Sequence, residues 1–449
     1  MASTYATFTN NTVPSTSKFT WSAWVKRGKL GTQQSLFSGA QSSTTGQMIY
    51  FNGAADQLGF YGIASSTVRV DKYTTMKFRD VNAWYHIVVA YDSTLSTASD
   101  RVKFYVNGEL QQLNGTDVQV QGWEPYYMLT SPTDIGRDAM GTSSYFDGEI
   151  SHMNFVIGTV YDASAFGETD STTGEWKIKT SPSVTYGSDG FFVLKDGNSL
   201  TDQSGNSNNF TVGGGTLTKT EDSPSNVFAT FNPLIYNGAQ ANYNPLFSNG
   251  NTTTASNTSV NAFSNARATL AMTSGKYYAE FKTTSSDSNM QIGLINYQSG
   301  FRSTNNWGLN YQNDGAVSFE ANGGIYINNS LSGTSFSGFT TGDIMQVAFD
   351  RTSEKVWLGK NGTWFNSGDP ANGTNELLDL SSTINNDEFW TFAVGFYHSV
   401  NEVWEANFGN GYFGTTAVSS AGTNASGIGI FEFDCPVGYT ALSTKGLNL

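Results

Sequence analysis

Val102-Lys103-Phe104-Tyr105-Val106-Asn107-Gly108 is the stretch that sets the class of fold. In an extended chain Val102, Phe104 and Val106 fall on one side and Lys103 and Tyr105 on the other, the period of two that marks a half-buried strand. Asn107-Gly108 then supplies two residues that tolerate the positive φ angles of a type I′ hairpin turn. Working outward, the same grammar of short apolar runs closed by turn residues recurs along the chain. Before it lie Phe19 to Val25 (FTWSAWV) and Trp84 to Tyr91 (WYHIVVAY), and after it Ile150 to Ile157. In the second half the strands read from the sequence are Lys276 to Phe281, Gln291 to Ile295, Val317 to Phe319, Ile344 to Phe349, Lys355 to Leu358 and Thr391 to Phe396. A helical period is absent over any ten-residue window, and Glu376 to Asp379 offers one turn at most. Strands in steady succession without intervening helices predict an all-β protein of antiparallel sandwiches, not an α/β fold.

The chain has 449 residues, enough for two such sandwiches, and its composition agrees. Aromatic residues make up 14% and charged residues only 13%, so the polar surface must be Ser, Thr, Asn, Gln and Gly. With 23 Lys and Arg against 37 Asp and Glu, the net charge of −14 and the lack of any basic cluster argue against nucleic acid and anionic membranes as partners. One cysteine, Cys435, rules out an intramolecular disulfide and a Cys-rich metal site. The opening Met-Ala-Ser-Thr-Tyr carries neither a basic nor an apolar leader region, and no apolar run approaches the ~20 residues of a membrane span. The expected division is a first sandwich over residues 1–218, a linker and polar segment over 219–265, and a second sandwich over 266–416. A C-terminal tail over 417–449 would be a docked strand or a contact for a neighbouring subunit. The boundary is placed in the breaker-rich stretch from Gly213 to Asn226.

Certain stretches resemble known families. Phe19 to Arg27 (FTWSAWVKR), Trp84 to Tyr91, Val102 to Leu110 (VKFYVNGEL), Asp134 to Arg137 (DIGR) and Tyr145 to Ile157 (YFDGEISHMNFVI) are similar to a laminin-G-type, concanavalin A-like domain. Gly275 to Phe281 (GKYYAEF), Gly342 to Asp350 (GDIMQVAFD), Lys355 to Pro370 (KVWLGKNGTWFNSGDP) and Phe392 to Tyr397 (FAVGFY) resemble a SPRY domain. The joining stretches Asp202 to Phe210 (DQSGNSNNF) and Asp222 to Leu234 (DSPSNVFATFNPL), with Gly438 to Leu447 (GYTALSTKGL), resemble virion structural proteins of marine bacteriophages. That resemblance implies tandem jelly-roll sandwiches on a virion, in a tail fibre or appendage, attaching to a host surface glycan. It also implies other virion proteins as partners, and adhesion through many weak sites predicts a homo-oligomer, a trimer or another symmetric cluster. A capsid decoration or connector binding only virion proteins is the alternative.

Catalysis finds little support in the residues. The nearest approach to the paired carboxylates of glycoside hydrolysis is Glu432-Phe433-Asp434, with Val437 where a third acid would stand. A serine triad would have to recruit His86, His152 or His398, and no Gly-x-Ser-x-Gly elbow exists. Gly409 to Gly414 matches a dinucleotide fingerprint but opens no helix. No cofactor is expected, apart from calcium as one of two readings for Asp202, Ser204 and Asn206. Their oxygens alternate as loop ligands would, and an Asx-stabilised turn is the other reading. For sugar binding, an exposed aromatic ring beside amide or carboxylate groups is the requirement. Trp123, Tyr126 and Tyr127 in a Pro-containing loop and Asn306, Trp307 and Tyr311 in a second loop meet it, with core packing as the competing reading for each Trp.

Overall fold

The computed structural model describes residues 3–10, 12–195, 199–235, 244–257, 263–285, 288–297, 308–309, 315–382, 388–397 and 402–449. It is almost entirely β-structure, and the chain divides into two compact units, Met1–Lys219 and Thr220–Leu449. The first unit contains β1 (Tyr5–Phe8), β2 (Lys18–Arg27), β3 (Gln34–Ser42), β4 (Thr45–Phe51), β5 (Gln57–Ala64), β6 (Thr67–Lys77), β7 (Trp84–Asp92) and β8 (Val102–Val106). After these come β9 (Glu109–Leu110), β10 (Leu113–Thr116), β11 (Thr133–Ile135), β12 (Gly148–Ile157), β13 (Gly167–Thr169), β14 (Trp176–Ile178), β15 (Phe191–Val193) and β16 (Thr211–Gly214). An eight-stranded sheet runs β10-β6-β5-β4-β3-β11-β1-β16 and a six-stranded sheet runs β15-β12-β2-β7-β8-β9. Only β2, β7, β8 and β12 lie where the sequence reading had placed strands, and the run β3 to β6 is the longest stretch it left without any.

The two sheets bury one aromatic core. Alternate residues of β2 (Phe19, Trp21, Ala23, Val25) and β7 (Tyr85, Ile87, Val89, Tyr91) meet Phe37, Ile49, Phe51, Leu58, Phe60 and Val70 from the larger sheet. Phe19 stacks on Tyr91 at 4.8 Å and Phe37 on Tyr127 at 4.7 Å, close pairings that add to plain area burial. The hairpin read from the sequence forms as expected, with Asn107 at φ 48° and Gly108 at φ 87° joining β8 to β9. On the outer side of the six-stranded sheet Val88 and Val156 are covered by Ala163, Phe166 and the half-buried Trp176. That face is therefore occupied by the chain itself.

The second unit has a nine-stranded sheet built around Lys276–Ser285, Ile344–Asp350, Lys355–Lys360 and Val403–Asn407, and a six-stranded sheet built around Gln291–Asn296, Ala316–Glu320 and Trp390–Phe396. Glu376 to Asp379 forms no helical turn, because Leu378–Asp379 pairs with Lys355–Val356 as a short strand. The C-terminal stretch lies on the outer side of the nine-stranded sheet. Its run Ile428 to Phe433 forms only a single bridge, Asn410 to Ile430, while Thr440–Ala441 pairs in parallel with Tyr277–Tyr278. Phe431, Cys435 and Tyr439 bury against Tyr278 and Trp357.

Beneath that stretch sits Glu280, fully buried. Its carboxylate accepts hydrogen bonds from the backbone N–H groups of Glu432 and Phe433 (2.8 Å each), the Tyr278 hydroxyl (2.9 Å) and the Asn407 amide (3.1 Å). Burial raises its pKa and these donors oppose the rise, leaving it near about 7 against an ordinary 4.5. A group whose pKa is raised by folding contributes stability that is complete below the unfolded value and lost as pH rises through the folded one. The second unit should therefore lose stability between pH 4.5 and about 7, by on the order of 3 kcal/mol. Thermal melts across that range will read it, and Glu280→Gln should flatten the slope; an equal slope in the variant assigns it to other groups.

Candidate functional site

The aromatic loop of the first unit does not offer the surface expected of it. Trp123 is buried, its ring lying over Gly62, where a Cβ would come within 2.2 Å of Trp123 Cη2. Its carbonyl accepts a hydrogen bond from Tyr91 at 2.7 Å. Tyr127 is wholly buried between Phe37 and Phe19. Neither ring can lie against a ligand, because both close the end of the hydrophobic core. Tyr126 is half-buried and its N–H donates to Gln47. Asn306, Trp307 and Tyr311 lie outside the described residues, as does His398.

Asp202, Ser204 and Asn206 come together as an Asx-type turn and not as a cation cage. Asp202 accepts from Phe192 N–H (2.8 Å), Ser204 N–H (2.9 Å), Ser204 hydroxyl (2.7 Å) and Asn208 N–H (3.0 Å). Asn206 donates its amide to the carbonyls of Gly187 and Gly190. Four donors aimed at one carboxylate put positive dipole where calcium would need to sit, so the set ties a loop to β15. Among the described residues no cluster of three or more His, Cys, Asp or Glu is placed to hold a metal ion.

His86, Glu432 and Asp434 read as structural too. His86 is buried, and burial pushes its pKa down to about 3. Trp176 donates its indole N–H to His86 Nδ1 at 2.9 Å, which makes Nδ1 an acceptor and puts the ring proton on Nε2, facing Ser22 Oγ at 3.0 Å. An imidazole in that tautomer donates to the serine and cannot take its proton, so the pair lacks the arrangement of an activated nucleophile. Glu432 accepts from Ser419, and Asp434 from Thr423, each bracing a turn of the C-terminal stretch.

What remains is the β5–β6–β10 end of the outer face of the eight-stranded sheet; toward β4, β3 and β11 the outward residues Tyr50, Met48, Ser35, Ser38 and Asp134 are buried, and the turn at Arg137 to Ala139 bonds over Ser38. Ile49, Phe51, Leu58, Phe60 and Val70 point inward, so their neighbours point outward. Register aligns those neighbours in two rows running across the strands. The first reads Thr7, Asp134, Ser38, Met48, Tyr61, Asp71 and Thr116. The second reads Ser35, Tyr50, Gly59, Tyr73 and Asn114. At the β4–β10 end three tyrosines surround one carboxylate. The ring of Tyr50 folds over Gly59, where a Cβ would meet Tyr50 Cε1 at 2.6 Å, so only glycine leaves that ring its place. Tyr61, Asp71 and Tyr73 are half-buried.

The chemistry of this patch is that of unengaged polar groups on an aromatic floor. Among the described residues no hydrogen bond or ion pair engages the Asp71 carboxylate or the hydroxyls of Tyr50, Tyr61 and Tyr73. Burial raises the Asp71 carboxyl above its ordinary value and nothing opposes it. Burial, then the Asp71 charge, lifts Tyr50 to about 12 and also raises Tyr61. At the other end of the first row Asp134 is neutralised by Arg137 at 2.5 Å, and the Arg137 guanidinium lies 3.6 Å from the centre of the Tyr5 ring. Asp134 and Asp71 stand four strand spacings apart, about 19 Å at ~4.8 Å each, beyond the roughly 5–9.5 Å over which two carboxyls cooperate in glycoside hydrolysis.

Residues 1–160 match the family described as the concanavalin A-like lectin/glucanases superfamily. No curated protein matches the chain. Solved structures similar to it include the SPRY domain of human HERC1, at 18% identity and TM-score 0.30, covering 39% of this chain and 96% of that one. A carbohydrate-binding protein of Bacteroides ovatus, so described provisionally, gives 18% identity and TM-score 0.30 over 49% of this chain and 60% of that one. The sialidase CBM40 module of Ruminococcus gnavus, bound to sialyllactose, gives 16% identity and TM-score 0.26 over 32% and 78%.

Proposed function

We propose that this chain is a non-catalytic glycan-binding protein and that it contacts sugar through the outer face of the eight-stranded sheet of its first unit. The observation that carries this is the grouping of Tyr50, Tyr61 and Tyr73 around Asp71, with four polar groups unengaged by the protein. Tyrosine rings stack on the apolar face of a pyranose while hydroxyl and carboxylate groups bond its hydroxyls. The separation of Asp71 from Asp134, the tautomer of His86 and the bonded state of Glu432 and Asp434 all speak against hydrolysis.

The setting we propose is the surface of a bacteriophage virion, in a tail fibre or appendage that attaches to a host glycan. Its support is the resemblance carried by Asp202 to Phe210, Asp222 to Leu234 and Gly438 to Leu447. A shallow sheet face gives weak single sites, so display as repeated copies, a trimer in the simplest case, would supply avidity. The test is binding of the purified full-length protein to host cells and to an array of bacterial surface glycans. Tyr61→Ala or Tyr73→Ala should weaken binding by about 2 kcal/mol, roughly 30-fold, as for an aromatic at the centre of a binding surface. Binding that survives both changes moves the site elsewhere. Absence of binding in a protein that is incorporated into virions favours an architectural role.

A further inference from the structure

Resting on the glycan reading of the same face, we infer that the ligand is a neutral, extended polysaccharide chain lying across the strands from Tyr61 to Thr116, and that Asp71 excludes acidic glycans.

The direction follows from register. Tyr61, Asp71 and Thr116 occupy three adjacent strands, spanning two spacings or about 10 Å, with Met48 and Tyr50 buried beside them on β4. Tyr50, Tyr73 and Asn114 run parallel to them two residues along each strand, roughly 7 Å away. Two rows of that length and separation make a platform one chain wide, with Tyr61 and Tyr73 as the raised rings. Such a surface is longer than one sugar ring, and Asn114 and Thr116 at its β10 end are exposed, which suits the interior of a chain and not a terminal residue.

The charge class follows from what surrounds Asp71. Lys72, its neighbour in sequence, points to the other side of the sheet and pairs with Asp117 at 2.6 Å. Arg69, two residues along on the same face, makes no ion pair with Asp71, and its Nε is buried. A lone carboxylate with two free oxygens is a strong acceptor for adjacent hydroxyls of a neutral sugar, since hydrogen bonds to a charged group are stronger than those between neutral groups. The same charge repels a uronate or sialate carboxylate brought within a few ångströms in a half-desolvated site, and the chain's net charge of −14 adds to the repulsion at longer range.

The experiment titrates the full-length protein with neutral polysaccharides (dextran, galactan, mannan) and acidic ones (alginate, hyaluronan), and then with an oligosaccharide length series of whichever binds. The expected result is binding to a neutral polymer only, tightening with chain length, and weakened about tenfold or more by Asp71→Asn. Acidic polymers bound as tightly as neutral ones, with binding still lost on Tyr61→Ala, would overturn the charge inference and leave the glycan site standing. Full affinity for a monosaccharide would overturn the extended-chain inference alone. Binding unchanged by Tyr61→Ala and Asp71→Asn together, or no binding to either class, removes the site and the inference with it.

Discussion

Asp56→Ala should destabilise the first unit by about 3–5 kcal/mol, because it strands a buried cation. Arg27 at the end of β2 is fully buried, its guanidinium 4.4 Å from the centre of the Phe51 ring. Its Nη1 donates to the Phe78 carbonyl at 2.7 Å and to Asp56 at 3.3 Å. Asp56 is held by more than this one partner, also accepting from Gly31 N–H at 3.1 Å and Arg79 Nε at 3.2 Å. Removing the carboxylate leaves Arg27 with one carbonyl and no counter-charge. In a unit of this size the loss corresponds to a fall in Tm of roughly 6–20 °C. Adding Arg27→Met to Asp56→Ala should recover much of it, since an apolar side chain of similar volume needs no counter-charge. A loss under about 1 kcal/mol for Asp56→Ala would show that solvent reaches Arg27 readily.

The same pair gives the first unit a pH response opposite to that of the second. Burial by itself would raise the Asp56 carboxyl, but the Gly31 N–H, Arg27 and Arg79 outweigh it and hold its pKa below the ordinary 3.8. A depressed carboxylate contributes stability that is present above the unfolded value and lost as pH falls through the folded one. Acid thus weakens the first unit below about pH 3.8, while it favours the second through Glu280. Scanning both units across pH should separate their melts.

Phe37→Ala is expected to cost the first unit about 3–5 kcal/mol by leaving a cavity at the centre of its aromatic core. Phe37 is fully buried, with its ring 4.7 Å from Tyr127, 5.2 Å from Phe155, 5.8 Å from Phe191 and 6.4 Å from Trp21. These rings come from three strands of the facing six-stranded sheet and from the connection before β11, so no single neighbour can move in to fill the space. Equilibrium denaturation will read the loss. Tyr61→Ala is the matched control, one position along from the core residue Phe60 on the same strand, and should cost less than about 1 kcal/mol. A collapse of similar size in both would mean that the outer face is part of the core.

The contrast between those two positions explains what the sequence disclosed. Strands such as Val102–Val106 announce themselves because the inward side is apolar and the outward side is not. The strand Thr67–Lys77 inverts the pattern: Val70, Lys72 and Thr74 face inward, Lys72 finding its charge partner in Asp117, while Asp71 and Tyr73 face outward. In Thr45–Phe51 every residue is buried, so Met48 and Tyr50 blur the alternation of Ile49 and Phe51. The strands that build the candidate face were therefore the hardest to see. Trp123 misled for a related reason. An aromatic residue in a Pro-containing loop is equally at home on a surface or as a plug, and only Gly62, distant in sequence, shows that a space had been left for its ring.

Alternation also bears on how such a face could change over generations. Each strand carries the core on one set of positions and, on the proposed reading, the sugar-facing rows on the other, so substitutions at Tyr61, Asp71, Tyr73 or Thr116 would redirect preference while Ile49, Phe60 and Val70 keep the sandwich folded. A single inserted or deleted residue within β5 would do the reverse, turning Phe60 to water and Tyr61 into the core. On that reading, lineages that change ligand should differ at these alternate positions by replacement, with changes of length confined to the connecting turns.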